Sequence, residues 1–166
     1  MPRITAQEAG GANICAFLDM IAHSELGAPL LAASDDGYNV IVGSTAAKPI
    51  LFTSYATHPN RLIGPPTIKV ASTAAGRYQL LNRFYLPYKN LLHLPDFGPL
   101  SQDRIAIQQI RERRALPLIQ AGKFAAAVAA CSNIWASLPG NSYGQHQNEL
   151  TNLLAAYKTA GGTITA

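Results

Sequence analysis

Glu25 is the carboxylate whose sequence setting best suits proton transfer. It closes the run Phe17-Leu18-Asp19-Met20-Ile21-Ala22-His23-Ser24-Glu25, in which Phe17, Leu18, Ile21 and Ala22 recur at the spacing of one helix face. Glu25 comes eight residues after Phe17, close to that face, and Gly27 and Pro29 break the periodicity just behind it. Two readings stay open on these residues alone. Glu25 is either a solvated acid at a frayed helix end or a half-buried acid lining a cleft. In the second case burial disfavours the charged form, so the group can hold a proton near neutral pH. Asp35 and Asp36 come ten and eleven residues later. Either aspartate could supply a second carboxylate. Asp35-Asp36-Gly37 reads more simply as a turn.

Other chemistries find little support. His23, His58, His93 and His146 show no HExxH or HxxxH spacing, and Cys15 and Cys131 form no CxxC, so no metal and no cofactor is expected. There is no GxSxG elbow for a serine nucleophile. Ala74-Ala75-Gly76-Arg77 lacks the lysine and hydroxyl of a phosphate loop. Downstream of the acid the chain instead carries a set of neutral polar groups: Ser72, Thr73, Tyr78 and Gln79. Hydroxyls, a phenol and an amide suit a ligand rich in the same groups, such as an amino sugar. Tyr55, Trp135 and Tyr143 offer rings for stacking on sugar faces.

The elements that must carry these residues can be read from pattern. Thr5 to Ser24 reads as a first helix, weakened by Gly10-Gly11. Leu26 to Asp36 is a connector. Gly37 to Gly43 reads as a strand, and so do Ile50 to Thr53 and Ile68 to Ala71. Tyr55 to Pro66, with its prolines, reads as an irregular loop. Small residues from Ser72 lead into a helix reaching about Tyr88. Ser101 is the expected cap of the next helix, which Pro117 ends or kinks. Phe124 to Cys131 is an alanine-rich helix, Asn133 to Gln145 a loop, and the last helix carries Leu150, Leu153, Leu154 and Tyr157 on one face until Gly161-Gly162. The predicted layout is α+β: a small sheet and a helical body flanking a cleft.

Composition bounds the rest. A chain of 166 residues with 48% hydrophobic and 13% charged residues suits one domain with one core. The net charge of +4 favours anionic partners. The one basic run, Arg111-Glu112-Arg113-Arg114, is interrupted by an acid, and no aromatic residues alternate with basic ones as a nucleic-acid platform requires. No nucleic acid is expected. Neither a secretory leader nor a membrane-spanning stretch is read, so stable membrane insertion is not expected. Cys15 and Cys131 read as reduced, buried thiols, with one long-range disulfide as the alternative. A monomer is the default.

Several blocks in order resemble the phage lambda endolysin family of lysozyme-like peptidoglycan lytic transglycosylases. They are AFLDMIAHSE (16–25), GYNVIVG (37–43), LFTSYATHP (51–59), STAAGRYQLL (72–81), SQDRIAIQQIRERRALP (101–117), CSNIWASLPG (131–140), YGQ (143–145) and AGGT (160–163). Residues 1–14 lie outside the resemblance. It implies a single lysozyme-like α+β domain that cleaves the β-1,4 bond between N-acetylmuramic acid and N-acetylglucosamine. It assigns the catalytic glutamate to Glu25 and matches Gly76 and Gln79 to a glycine-x-x-glutamine motif, so that Tyr78 and Gln79 would orient the glycan. The lips of the family's cleft correspond to roughly 51–62 and 131–145, the second holding Asn133. The implied product is a 1,6-anhydromuramoyl end. The implied partner is peptidoglycan, met after a separate holin releases the enzyme from the host cytoplasm to the cell wall. Two alternatives remain. One is a hydrolytic muramidase using Asp35 or Asp36. The other is a peptidoglycan-binding protein without turnover.

Overall fold

The computed structural model describes residues 1–140 and 147–165. Among these, eight helices succeed one another: α1 (Ala6–Ala9), α2 (Ala12–Leu26), α3 (Ala28–Ala32), α4 (Asn82–Leu91), α5 (Pro99–Glu112), α6 (Leu116–Gln120), α7 (Phe124–Cys131) and α8 (Leu150–Thr159). The chain divides into two compact units. One is formed by Met1–Glu25 together with Ala106–Ala166, the other by Leu26–Ile105.

The first unit is built on α2. Seven of its residues are buried, including Ile14, Phe17, Leu18 and Ile21, so the apolar face read from the sequence is the face the fold covers. Phe17 meets Phe124 of α7 and Tyr157 of α8 edge-on at 6.4 Å each, and Phe124 and Tyr157 lie 4.9 Å apart. Removing a ring from such a cluster typically costs about 3–5 kcal/mol. The expected single helix from Thr5 breaks in two, because Gly10 takes a left-handed φ of 94° and ends α1. A reciprocal Thr5–Glu8 capping box starts that short turn. Residues 1–14 are thus ordered onto the unit: Ile4 is buried, and Gln120 Nε2 donates to the Gly10 carbonyl at 2.9 Å. At the far end of the chain, Gly162 lies against the Tyr157 ring, where a Cβ would stand 2.4 Å from ring carbons. Cys15 and Cys131 are not joined by a disulfide; Cys131 is buried and Cys15 half-buried.

The second unit holds the β-structure, which is smaller than expected. In place of three strands it has isolated antiparallel bridges: Val40 with Leu51, Ile41 with Ala75, Thr45 with Lys48, Ile63 with Ser72, and Ala75 with Leu80. Residues 68–71 form no strand; the pairing falls on Ser72 and Ile63 instead. The helix expected from Ser72 begins only at Asn82, because Ala75 and Leu80 exchange backbone hydrogen bonds at 3.0 and 2.9 Å and close residues 76–79 into a tight turn. Thr73 Oγ1 accepts from the Asn82 backbone N–H at 3.2 Å, serving the start of α4 from nine residues upstream. Ser101 is no cap: it lies inside α5, and its hydroxyl donates to Asp96 Oδ1 at 2.8 Å. Pro117 starts α6 rather than ending α5. The connector before Gly37 contains α3.

The core of this unit gathers Ile41, Phe52, Leu80, Tyr85, Leu94, Phe97 and Ile105. His58 is set into it, with its ring 4.7 Å from that of Phe97. The Leu80 carbonyl can only accept, so His58 Nε2 carries the proton and donates to it at 2.9 Å, while Nδ1 accepts from the Asn60 N–H at 3.0 Å. Both nitrogens are used by the neutral ring. Burial holds the His58 pKa below its ordinary 6.5 despite the Leu80 bond. The unfolded chain therefore takes up this proton first. The stability His58 contributes is present above about pH 6.5 and is lost as pH falls below it. Urea unfolding should show a midpoint that declines below pH 6.5, and His58→Gln should remove that component of the decline.

Candidate active site

Glu25 sits in the last turn of α2, half-buried. Its Oε1 accepts from the Ser137 hydroxyl at 2.5 Å. Desolvation raises its pKa above the ordinary 4.5, against the opposing pull of hydrogen bonds from the Ser137 hydroxyl and backbone N–H. Its place on the helix works in the same direction as burial, since the C-terminal end of a helix disfavours negative charge. Ser137 comes from the segment after α7, 112 residues away in sequence. It is held in turn by Ser24, whose hydroxyl donates to Ser137 Oγ at 2.8 Å. Asn148 donates to the Ser24 carbonyl at 3.1 Å and to Ser24 Oγ at 3.0 Å, and its own backbone N–H donates to the Ser137 carbonyl at 2.9 Å.

The remaining candidates in this unit separate by burial. Asn133 is exposed on the segment leading to Ser137. Trp135 is only 2% exposed, which corrects the expectation that it stacks on a sugar: its rings pack inside the unit and leave no face for a ligand. Tyr143 falls outside the described residues.

In the other unit, Tyr55 is half-buried, edge-on to Phe52 at 5.4 Å, and its hydroxyl donates to Asp35 Oδ2 at 2.7 Å. Ser72 and Thr73 are half-buried, and their oxygens accept backbone N–H bonds from Ala74 and Asn82. Gly76 opens the turn that carries Tyr78 and Gln79, with φ of 81°, and a Cβ there would stand 2.2 Å from Gln102 Oε1. Gln102 fixes this turn: Oε1 accepts from the Arg77 N–H at 2.9 Å, while Nε2 donates to the Tyr38 and Phe97 carbonyls at 3.0 and 2.8 Å. Gln79 also has a left-handed φ, 49°, and its Nε2 donates to the Gly76 carbonyl at 2.9 Å.

Tyr78 points the other way. It is 5% exposed, and its hydroxyl, like that of Tyr38, donates to Asp103 Oδ1 at 2.7 Å. Desolvation and the neighbouring Asp103 push its pKa well above the ordinary 10, so it stays a donor. This corrects the expected role of Tyr78. It supports the turn from within and presents no phenol to a glycan. Asp36, one of the two candidate second carboxylates, forms an ion pair at 2.8 Å with the buried Arg77 guanidinium, which also bonds the Asp36 carbonyl. Asp35 is the exposed one.

Among the described residues no group of His, Cys, Asp and Glu is arranged to hold a metal ion. Sequence reasoning singled out Glu25, Gly76 and Gln79 as candidates, and it gave no sign of Ser137, Ser24 and Asn148 as neighbours of that acid. Ser24 and Ser137 fell within recognised blocks, but small polar residues of that kind give no signal of a contact so distant along the chain.

Comparison with known proteins gives a consistent picture. A family model described as Endolysin matches residues 15–164. The endolysin of Escherichia phage P2 is 49% identical over 154 residues, covering 90% of this chain and 93% of that one. The endolysin of Escherichia phage lambda is 49% identical over 150 residues, covering 90% and 91%. The structure of bacteriophage lambda lysozyme complexed with a chitohexasaccharide superposes with a TM-score of 0.83 at 46% identity, over 99% of this chain and all of that one. A second structure of the lambda lysozyme gives 0.79 at the same identity. The fold is therefore lysozyme-like.

A proton held by burial has a thermodynamic sign that can be checked. Because the folded state raises the Glu25 pKa above 4.5, the stability linked to its proton is complete below that pH and is lost as pH rises through the folded pKa. At neutral pH the ionised group is then a cost. Glu25→Gln should melt at a higher temperature than the parent protein at pH 7, and the gap should close below pH 4.5. A variant less stable at pH 7 would contradict this account of the site.

Proposed function

The chain belongs to the endolysin family, and from that premise we propose that it is a phage endolysin that degrades bacterial peptidoglycan as a lytic transglycosylase, with Glu25 as its only catalytic carboxylate. The observation that carries the reading is the state of the acids. Glu25 is half-buried with a raised pKa, the condition a general acid needs at neutral pH. Asp36 is committed to the buried Arg77, and Asp35 to the Tyr55 hydroxyl. The chitohexasaccharide held by the lambda lysozyme supports a β-1,4-linked amino-sugar polymer as ligand.

The chemistry then runs with one carboxyl group. Glu25 donates its proton to the glycosidic oxygen as the bond to C1 of N-acetylmuramic acid breaks. The sugar's own 2-acetamido oxygen attacks C1, doing the work a second carboxylate does in a retaining glycosidase. Glu25, now ionised, takes the proton of the C6 hydroxyl as that oxygen closes onto C1 and displaces the acetamide. The products are a 1,6-anhydromuramoyl end and a free N-acetylglucosamine hydroxyl. No water is consumed, and Glu25 regains its proton. Acid–base assistance of this kind typically contributes about a hundred- to ten-thousandfold. Tyr55, Ser72, Thr73, Gln79 and Asn133 are the proposed glycan contacts. Among the described residues no helix is long and apolar enough to cross a membrane, and release to the cell wall is assigned to a separate holin. The enzyme acts as a monomer.

Mass spectrometry of digested peptidoglycan separates the mechanisms. Muropeptides lighter by one water than reducing ends are expected. Reducing ends together with an inactive Asp35→Ala variant would make the protein a hydrolase, and the absence of soluble product would make it a binding protein. Glu25→Gln should lose lytic activity while remaining folded.

A further inference from the structure

We propose that Asn148, Ser24 and Ser137 form a one-way hydrogen-bond relay that fixes the Glu25 carboxyl group and leaves its acid proton on Oε2. The inference rests on the reading of Glu25 as the acid and base, and it adds positioning residues that act through that group.

The direction of the relay is set by what each atom can do. The Asn148 side chain presents one atom to both the Ser24 carbonyl, at 3.1 Å, and Ser24 Oγ, at 3.0 Å. A carbonyl oxygen only accepts, so the facing atom is the amide nitrogen, which only donates. Ser24 Oγ therefore accepts from Asn148 and sends its single proton onward to Ser137 Oγ at 2.8 Å. Ser137 Oγ accepts in turn and sends its own single proton to Glu25 Oε1 at 2.5 Å. Each hydroxyl is used once as donor and once as acceptor. Reversing the Ser24–Ser137 link would make Ser24 Oγ accept twice and leave its own proton with neither of these partners, and it would take the Ser137 proton away from Glu25. The Asn148 N–H on the Ser137 carbonyl, at 2.9 Å, ties the two ends of the relay through the backbone as well.

The relay acts on Glu25 in two ways. Oε1 receives a donated proton in both protonation states, and the carbonyl-type oxygen of a carboxylic acid is the better acceptor. The acid proton accordingly resides on Oε2, which becomes the oxygen that faces the leaving group. The carboxyl is also held in one rotamer, the condition under which placement counts for rate. The same donor stabilises the ionised form and keeps the pKa from rising as far as burial alone would take it. Among the described residues, burial and the two Ser137 donors are the causes acting on Glu25, with no contribution from a charged side chain, and His23 on the same helix is exposed.

Steady-state kinetics on solubilised peptidoglycan strands test this across pH. Ser137→Ala should lower kcat about ten- to a hundredfold, leave KM little changed, and move the alkaline limb of kcat/KM to higher pH. Ser137→Thr should restore both, and Ser24→Ala should shift the limb the same way by less. An unmoved limb in Ser137→Ala, with Glu25→Gln inactive, overturns the relay alone. So does a Thr variant no better than Ala when both unfold like the parent protein. If Ser137→Ala does not fold, an unmoved limb in Ser24→Ala overturns the proposal and a shifted one supports it. Activity retained in Glu25→Gln overturns the acid assignment itself, which keeps the two failures distinct.

Discussion

Raising the pKa of a carboxylic acid above its ordinary value requires withdrawing it from water without giving it a cation. That constraint governs the end of α2. Burial raises the Glu25 pKa, the helix C-terminus adds to the effect, and the neighbours supplied to the group are serine donors rather than lysine or arginine. The contrast with Asp36 is direct. There the chain places a buried guanidinium at 2.8 Å, and the carboxylate serves structure. Two acids eleven residues apart in sequence are given opposite environments, one withdrawn from water without a cation and the other paired with a guanidinium.

The rest of the first unit can be understood as the support that α2 needs. Phe17 is clasped by Phe124 and Tyr157, which fixes the helix two turns before Glu25. Asn13 near its start accepts from the Thr163 N–H at 2.9 Å and donates to the Ile119 carbonyl at 3.2 Å, joining three separate stretches of sequence. In the second unit, Gln102 and Asp103, adjacent on α5, do comparable work. One satisfies three backbone groups around the 76–79 turn, and the other anchors two phenols beneath it. Buried polar groups that are so fully paired impose a single arrangement.

Helical periodicity made α2 and α8 legible in the sequence, because burial of one face repeats every turn. Glu25 was legible for the same reason, and the resemblance then supplied its role. The β-structure was less so. Ile68 to Ala71 has strand composition, yet its neighbours pair elsewhere, since bridge partners depend on loop geometry that propensity does not encode. The turn at 76–79 looked helical because bonds to Val40, Leu80 and Gln102, distant or across the turn, help to hold it. Trp135 and Tyr78 looked like ligand contacts because aromatic and phenolic groups suit sugars. Their burial was set by packing partners that the local sequence does not name.

The central claim is that folding raises the pKa of one glutamate. The chain has only four, Glu8, Glu25, Glu112 and Glu149, so carbon-13 labelling of glutamate carboxyl groups gives a spectrum in which Glu25 is identified by its absence from Glu25→Gln. Titrated by NMR in the folded protein, the Glu25 carboxyl should change state above the ordinary 4.5. A midpoint at or below 4.5 would contradict the account, since a group ionised that readily carries no proton to give at neutral pH.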